Sequence, residues 1–262
     1  MSLIKTPEEI EKLKEGGKIL STILREIRSM CIAGVSTADM DMLARKRMEE
    51  AGGMPSFLGY RISPDDTPYS GALCVSMNDE VVHGLAHPGR SISDGDIVGL
   101  DIGFWYKGLC TDMATTVVVG DVLEKEQELV HDTRESLVRA LGAVKHGGMV
   151  SDIGAAVEDY LAPKGYGIVR DLVGHGVGHA VHEDPAIPNY REPSAPRVRL
   201  QTGMVIAIEP MVTLGGWRIR QKDDGWTIVT ADGSKAAHFE VTVAVTDDGY
   251  DLVTPWPDQA GD

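Results

Sequence analysis

Cysteine is scarce in this chain of 262 residues: Cys31, Cys74 and Cys110 are odd in number, far apart and without a CxxC pair. This excludes a disulfide framework and a cysteine-ligated zinc site, and leaves buried free thiols as the reading. No apolar run approaches the ~20 residues of a membrane span. The opening MSLIKTPEEIEKLKEGG also lacks the apolar centre of a signal peptide. A cytoplasmic protein is the expectation. Basic side chains are outnumbered, 25 Lys and Arg against 40 Asp and Glu, for a formal charge of −15. Such a surface grips phosphate backbones and anionic membranes poorly, so neither nucleic acid nor membrane is an expected partner. The helical zinc-protease pattern HExxH is absent as well.

What is present is a hydrophobic content of 42%, enough for a sizeable core. In TPEEIEKLKEGGKILSTILREI, Thr6 is placed to cap a helix, Pro7 to occupy its first position and Glu9 to complete a capping box. Ile10, Leu13, Gly17, Leu20, Leu24 and Ile27 then recur at spacings of three and four, the apolar or small face of an amphipathic helix.

The chain also repeats itself. GVSTADMDMLARKRMEEAG, from Gly34, is echoed at an offset of 113 by GGMVSDIGAAVEDYLAPKG, from Gly147. Both run glycine, cap, helix, glycine, and Met40, Leu43, Ala44 and Met48 fall opposite Ile153, Ala156, Val157 and Leu161. Further on, GDIVGLD, ending at Asp101, matches GMVIAIE, ending at Glu209. Two matches in the same order predict an α+β chain of two related halves, about 1–122 and 123–262, forming one domain with a site at their junction.

Each half supplies two acids on predicted strands. IVGLDIGFWYKGLCTDMATTVVVG reads as a hairpin about a Tyr-Lys-Gly turn. Alternation sends Leu100, Ile102 and Phe104 to one face and Asp101 to the other, with Asp112 side by side with it on the returning strand. The second half repeats this with Glu209, inside the buried strand TGMVIAIEPMV, and Glu240 in AAHFEVTVAV. A single strand acid is more often solvated or salt-bridged than a ligand. Four, paired by a repeat and with Lys107 and Arg220 too few to pair them all, are best satisfied by a pair of divalent cations.

In LVGHGVGHAVHEDP the glycines argue for an extended segment rather than a helix. On a strand His175 and His179 share a face and His182 points elsewhere, so His175 suits a fifth ligand and His179 a surface or supporting position. His83, in NDEVVHG, fits a catalytic or a plain loop histidine equally.

Together these residues resemble the type I methionine aminopeptidases, of the duplicated pita-bread fold. The resemblance runs from the first helix to about Val253 and rests on CVSMNDEVVHG, DIVGLDIGFWYKG, TDMATTVVVG, GHGVGHAVHEDP, GMVIAIEPM and DGWTIVTADGSKAAHFEVTVAV. It implies two pseudo-symmetric halves, antiparallel sheet and covering helices, around a central pair of divalent ions (Co, Mn, Fe or Zn). Asp101, Asp112, His175, Glu209 and Glu240 would be the ligands, with Asp112 and Glu240 shared. It further implies that Glu209, His83 and His182 are catalytic, and that His83, His182, Tyr60, Cys74 and Trp226 meet the substrate. The activity implied is removal of the initiator methionine from peptides and nascent polypeptides when the second residue is small, by a monomer.

GHGVG with VHE and Pro, and the TDM strand, are similar to prolidases and Xaa-Pro aminopeptidases too, whereas NDEVVHG and DGWT favour methionine. A member of the fold that binds without catalysis normally has gaps among the ligands, and none is seen here. Only 31 positions separate Glu209 from Glu240, too few for the helical insert of type II enzymes. The chain resembles the short bacterial form. Two departures are expected to widen the methionine pocket: the longer RISPDDTPYSGA, Arg61 to Ala72, and Val181 in place of a common aromatic.

Overall fold

A computed structural model of the chain describes residues 3–194 and 196–258. Among the described residues, four α-helices cover an antiparallel sheet: α1 (Pro7–Arg28), α2 (Thr37–Glu50), α3 (Glu124–Leu141) and α4 (Val150–Leu161). In chain order the strands of the first half are β1 (Met54–Pro55), β2 (Leu73–Met77), β3 (Glu80–Val82), β4 (Ile97–Tyr106) and β5 (Leu109–Val118). Those of the second are β6 (Gly167–Ile168), β7 (Gly174–Gly176), β8 (Glu183–Ile187), β9 (Val205–Ile208), β10 (Met211–Thr213), β11 (Ile219–Gln221), β12 (Ile228–Thr230), β13 (Ala236–His238), β14 (Glu240–Val245) and β15 (Tyr250–Leu252).

The main sheet runs β1-β4-β5-β14-β9-β7-β8, with β2 on β4 and β15 on β14. Smaller sheets, β13-β10-β6 and β11-β12-β3, close its flank. The α+β class is thus the one the sequence predicts. The halves meet where β5 pairs with β14, Glu240 opposite Ala114.

Local chemistry places the elements. Thr6 and Glu9 form the expected capping box of α1, and its apolar face buries Leu13, Leu20, Leu24 and Ile27. Gly17 is small because α1 lies directly on the Val253 carbonyl, where any Cβ would collide. The β4–β5 hairpin turns on Lys107 (φ 48°) and Gly108 (φ 81°), the left-handed pair that a two-residue hairpin loop demands. Leu100, Ile102 and Phe104 are fully buried in a core with α1 and α2, and a second core joins α3 and α4 to β9, β10 and β14.

The two halves share turn geometry as well as sequence. The caps Ser36 and Met149 each make an isolated bridge to a distant strand segment, Ser91 and Arg199. Gly95 (φ 89°) and Gly203 (φ 90°) each donate an N–H to the end of a returning strand, to the Val119 and Val245 carbonyls.

Candidate active site

Strand register assembles the acids in two adjoining rows across one sheet face. Cys74, Asp101, Ala114 and Glu240 make the first, one residue each from β2, β4, β5 and β14. Gly103 and Asp112 begin the second, which continues through Thr242, Ala207 and His175. The link between Asp112 and Thr242 is the Thr242 hydroxyl, bonded to the Asp112 backbone. Asp101 and Asp112 are therefore diagonal neighbours and not directly opposed, a correction to the side-by-side expectation that leaves them on one face.

Glu209 also requires a correction. It is not in a strand interior but is the first residue after β9, because Pro210 has no N–H to continue the ladder and the chain leaves for β10. It stands two positions past Ala207 and on the same face. Its Oε1 is 3.5 Å from His175 Nε2, and its Oε2 is 3.5 Å from His238 Nε2.

The histidine segment differs most from its expected form. β7 ends at Gly176 and the chain turns through Gly178 (φ 140°), so strand alternation stops before His179. His182 returns to the site, its ring centroid 4.4 Å from that of His175. His179 points away and bonds Glu9 at 2.7 Å, tying the turn to the start of α1. His83, at φ 58° after β3, also faces the cavity, and Glu80 steadies that strand by pairing with Arg90 and Lys222.

The cavity so formed is lined by Asp101, Asp112, His175, Glu209, Glu240, His83 and His182. Tyr60, Cys74 and Trp226 line it too, together with Phe57, Ile62 and Tyr69. These last three and His238 were not singled out in the sequence. His238 had a legible signal, since it stands two positions before Glu240 and alternation turns both to one face. Tyr69 and Ile62 belong to the extra loop, which carries no periodicity. In that loop Tyr69 packs edge-on to Trp226, centroids 5.2 Å apart, and Trp226 Nε1 donates to the Thr67 carbonyl at 2.9 Å. Asp224 sets the indole by accepting from the Trp226 and Thr227 N–H groups, which explains the DGWT sequence. Val181 packs with Leu13, Val177 and Val205 and, among the described residues, is not part of the cavity lining.

Electrostatically the cluster is short of positive charge. Among the described residues no lysine or arginine lines the cavity. Burial, with the neighbouring Glu209 carboxylate adding to it, pushes Asp101 up to about 7, and burial pushes Glu209 up to about 8. Asp112 and Glu240 are driven well above the usual carboxylate range by burial and then by the surrounding acids. Burial also holds His83 down to about 4 and His175 to about 3, so both imidazoles are neutral at pH 7. Asp101 Oδ1, Asp112 Oδ1 and Glu240 Oε1 are buried with no hydrogen-bond partner. Donor atoms of Asp112, His175 and Glu240 lie within 4.8 Å of one another, as do those of Glu209, His238 and Glu240. Unpaired carboxylate oxygens beside neutral imidazoles, at ligand spacing, fit divalent cations.

Known proteins share this arrangement of chain. Metallopeptidase family M24 matches residues 11–247. Methionine aminopeptidase 1 of Bacillus subtilis (strain 168) is 40% identical over 255 residues, covering 97% of this chain and 99% of its own. The crystal structure of methionine aminopeptidase from Thermotoga maritima superposes with a TM-score of 0.90 at 43% identity, over 96% of this chain and 98% of the other. The Xaa-Pro dipeptidase of Bacillus anthracis is more distant, with a TM-score of 0.75 and 27% identity; 96% of this chain covers 62% of that one. The chain belongs to the methionine aminopeptidases of metallopeptidase family M24 and, like that family, uses divalent metal.

Proposed function

We propose that the chain is a metal-dependent methionyl aminopeptidase that removes the initiator methionine from new proteins and peptides when the second residue is small. Besides the family, one observation carries the reading: three unpaired, buried carboxylate oxygens belong to residues lining a cavity that apolar and aromatic side chains also line. The whole of 1–262 is taken as one catalytic unit of two halves, about 1–122 and 123–262. It is placed in the cytoplasm as a monomer acting on nascent chains.

Asp101, Asp112, His175, Glu209 and Glu240 would hold two divalent ions, with Asp112 and Glu240 serving both, Asp101 one, and His175 with Glu209 the other. A carboxylate-rich set with an imidazole suits Co, Mn, Fe or Zn. When bound, the ions supply an acidified water and a positive charge for the free amine of the substrate. Glu209 takes the proton of the attacking water and returns it to the leaving amine. His182 donates to the developing oxyanion. Its Nδ1 is 2.7 Å from Tyr60 Oη, and burial raises the phenol, which stays protonated; the role assigned to it here is donor to Nδ1. That leaves the His182 proton on Nε2 and available to substrate. His83 contacts the amide that is cut.

Tyr60, Cys74 and Trp226, with Phe57 and Ile62, form an apolar wall suited to a thioether, whose contact with aromatic rings adds about 0.3–1.5 kcal/mol. A side chain on the second residue passes close to His83 and His182, which favours Gly, Ala or Ser there. The test is kcat/KM on Met-Ala, Leu-Ala, Lys-Ala, Ala-Pro and Met-Lys peptides. Cleavage of Met-Ala well above the rest is expected. Equal rates on Lys-Ala, or preference for Ala-Pro, would refute the assignment.

A further inference from the structure

His238 has a place in the site that the ligand assignment does not account for. It ends β13, and its backbone is clamped by one residue of β5: the His238 N–H donates to Thr116 Oγ1 at 3.0 Å, and Thr116 Oγ1 donates to the His238 carbonyl at 2.6 Å. The clamp ties the imidazole to the strand that carries Asp112. The side chain is 3% exposed, and its Nε2 has no hydrogen-bond partner. A buried imidazole nitrogen left in that state is costly. The atom it faces is Glu209 Oε2, at 3.5 Å, while Glu209 Oε1 faces His175 Nε2. One carboxylate thus stands between two imidazoles, one oxygen toward each. No hydrogen bond among the described residues otherwise reaches the Glu209 carboxylate.

We propose that His238 is a positioning residue for Glu209, donating Nε2–H to Oε2 and so holding the carboxylate with Oε1 on the His175 side for metal. The proposal rests on the assignment of Glu209 as ligand and proton carrier. The 3.5 Å separation exceeds a charge-assisted hydrogen bond, about 2.7–2.9 Å, by an amount that a small rotation of the Glu209 side chain closes. The two histidines then have distinct tasks. His175 binds metal, whereas His238 orients the acid that moves the proton, the arrangement by which groups behind a ligand tune it. The competing role is a sixth metal ligand, since Glu209, His238 and Glu240 lie within ligand spacing.

The two roles separate in H238A and H238Q, because a glutamine amide keeps an N–H donor near the position of Nε2–H. For H238A on a Met-Ala peptide, kcat is expected to fall about 10- to 100-fold with KM little changed and the pH profile of kcat displaced. H238Q should recover most of the rate, and H238A should cost nothing further in a Glu209→Gln background. Calorimetric titration of the metal-free proteins with Co²⁺ should give wild-type stoichiometry and affinity for both variants. Ring nitrogen NMR of the Zn²⁺-loaded wild type should show a proton on His238 Nε2, a readout that holds whether or not the peptide is cleaved. Loss of an ion from both variants, an unprotonated Nε2, or an H238A enzyme with wild-type kcat and pH profile would each overturn the proposal. Wild-type protein inactive on Met-Ala peptides with a protonated Nε2 would instead count against the activity alone.

Discussion

The hydroxyl of Thr242 accepts from the Asp112 N–H at 3.2 Å and donates to the Asp112 carbonyl at 2.7 Å, across 130 positions of sequence. One side chain thereby closes the gap between β5 and β14 beside the acids. Thr242 is wholly buried, so T242V leaves a buried N–H and carbonyl of Asp112 unpaired at nearly constant volume. About 2–6 kcal/mol of stability should be lost, at about 1–3 per group, read from the urea midpoint. Metal affinity should weaken with it, because Asp112 and Glu240, both assigned as ligands, lose their register.

Asp112 and Glu240 come from different halves, and each is assigned to both ions. D112N and E240Q should each lose metal and activity together, measured as the metal-to-protein ratio and kcat on one preparation. A folded D112N enzyme that kept two ions and near-full turnover would sink the shared assignment.

His182 is assigned to the transition state and not to metal. H182A should therefore lower kcat by about 10²–10³ with the ions retained, the usual cost of one oxyanion donor. Y60F removes the hydroxyl that holds His182 Nδ1 and should lower kcat in the same direction by less. An H182A protein that is folded but metal-free would make His182 a ligand instead.

The acids also set a pH dependence for the metal-free protein. Glu209, near 8, and Asp101, near 7, hold protons in the fold that the unfolded chain has released above its carboxylate range of about 4. The native state then binds more protons than the unfolded state, and stability falls as pH rises toward 8. Below about 6.5 the buried imidazoles act oppositely, since His83 and His175 stay neutral in the fold while the unfolded chain takes up protons. The decline should be cleanest between about pH 6.5 and 8. Thermal melts should show it without metal and lose it with Co²⁺. Calorimetry in two buffers should find proton release on metal binding that shrinks as pH rises.

Much of this was legible in the sequence because it depends on neighbours along the chain. The Thr6–Glu9 box, the Lys107-Gly108 turn and the burial of Leu100, Ile102 and Phe104 follow from capping, backbone φ and a period of two. The repeat showed that two acid-bearing strands would recur, and the resemblance assigned them a family. Only the tertiary structure decided which side chains converge. His182 and not His179 returns to His175, because β7 stops at Gly176 and a turn overrides alternation. His238 meets Glu209 because Pro210 ends one ladder and Thr116 clamps another. Trp226 holds the 61–72 loop through a bond to Thr67, 159 positions away. Periodicity assigns a residue to a face of its own element; the distance between two such faces is set by the pairing of strands remote in the chain.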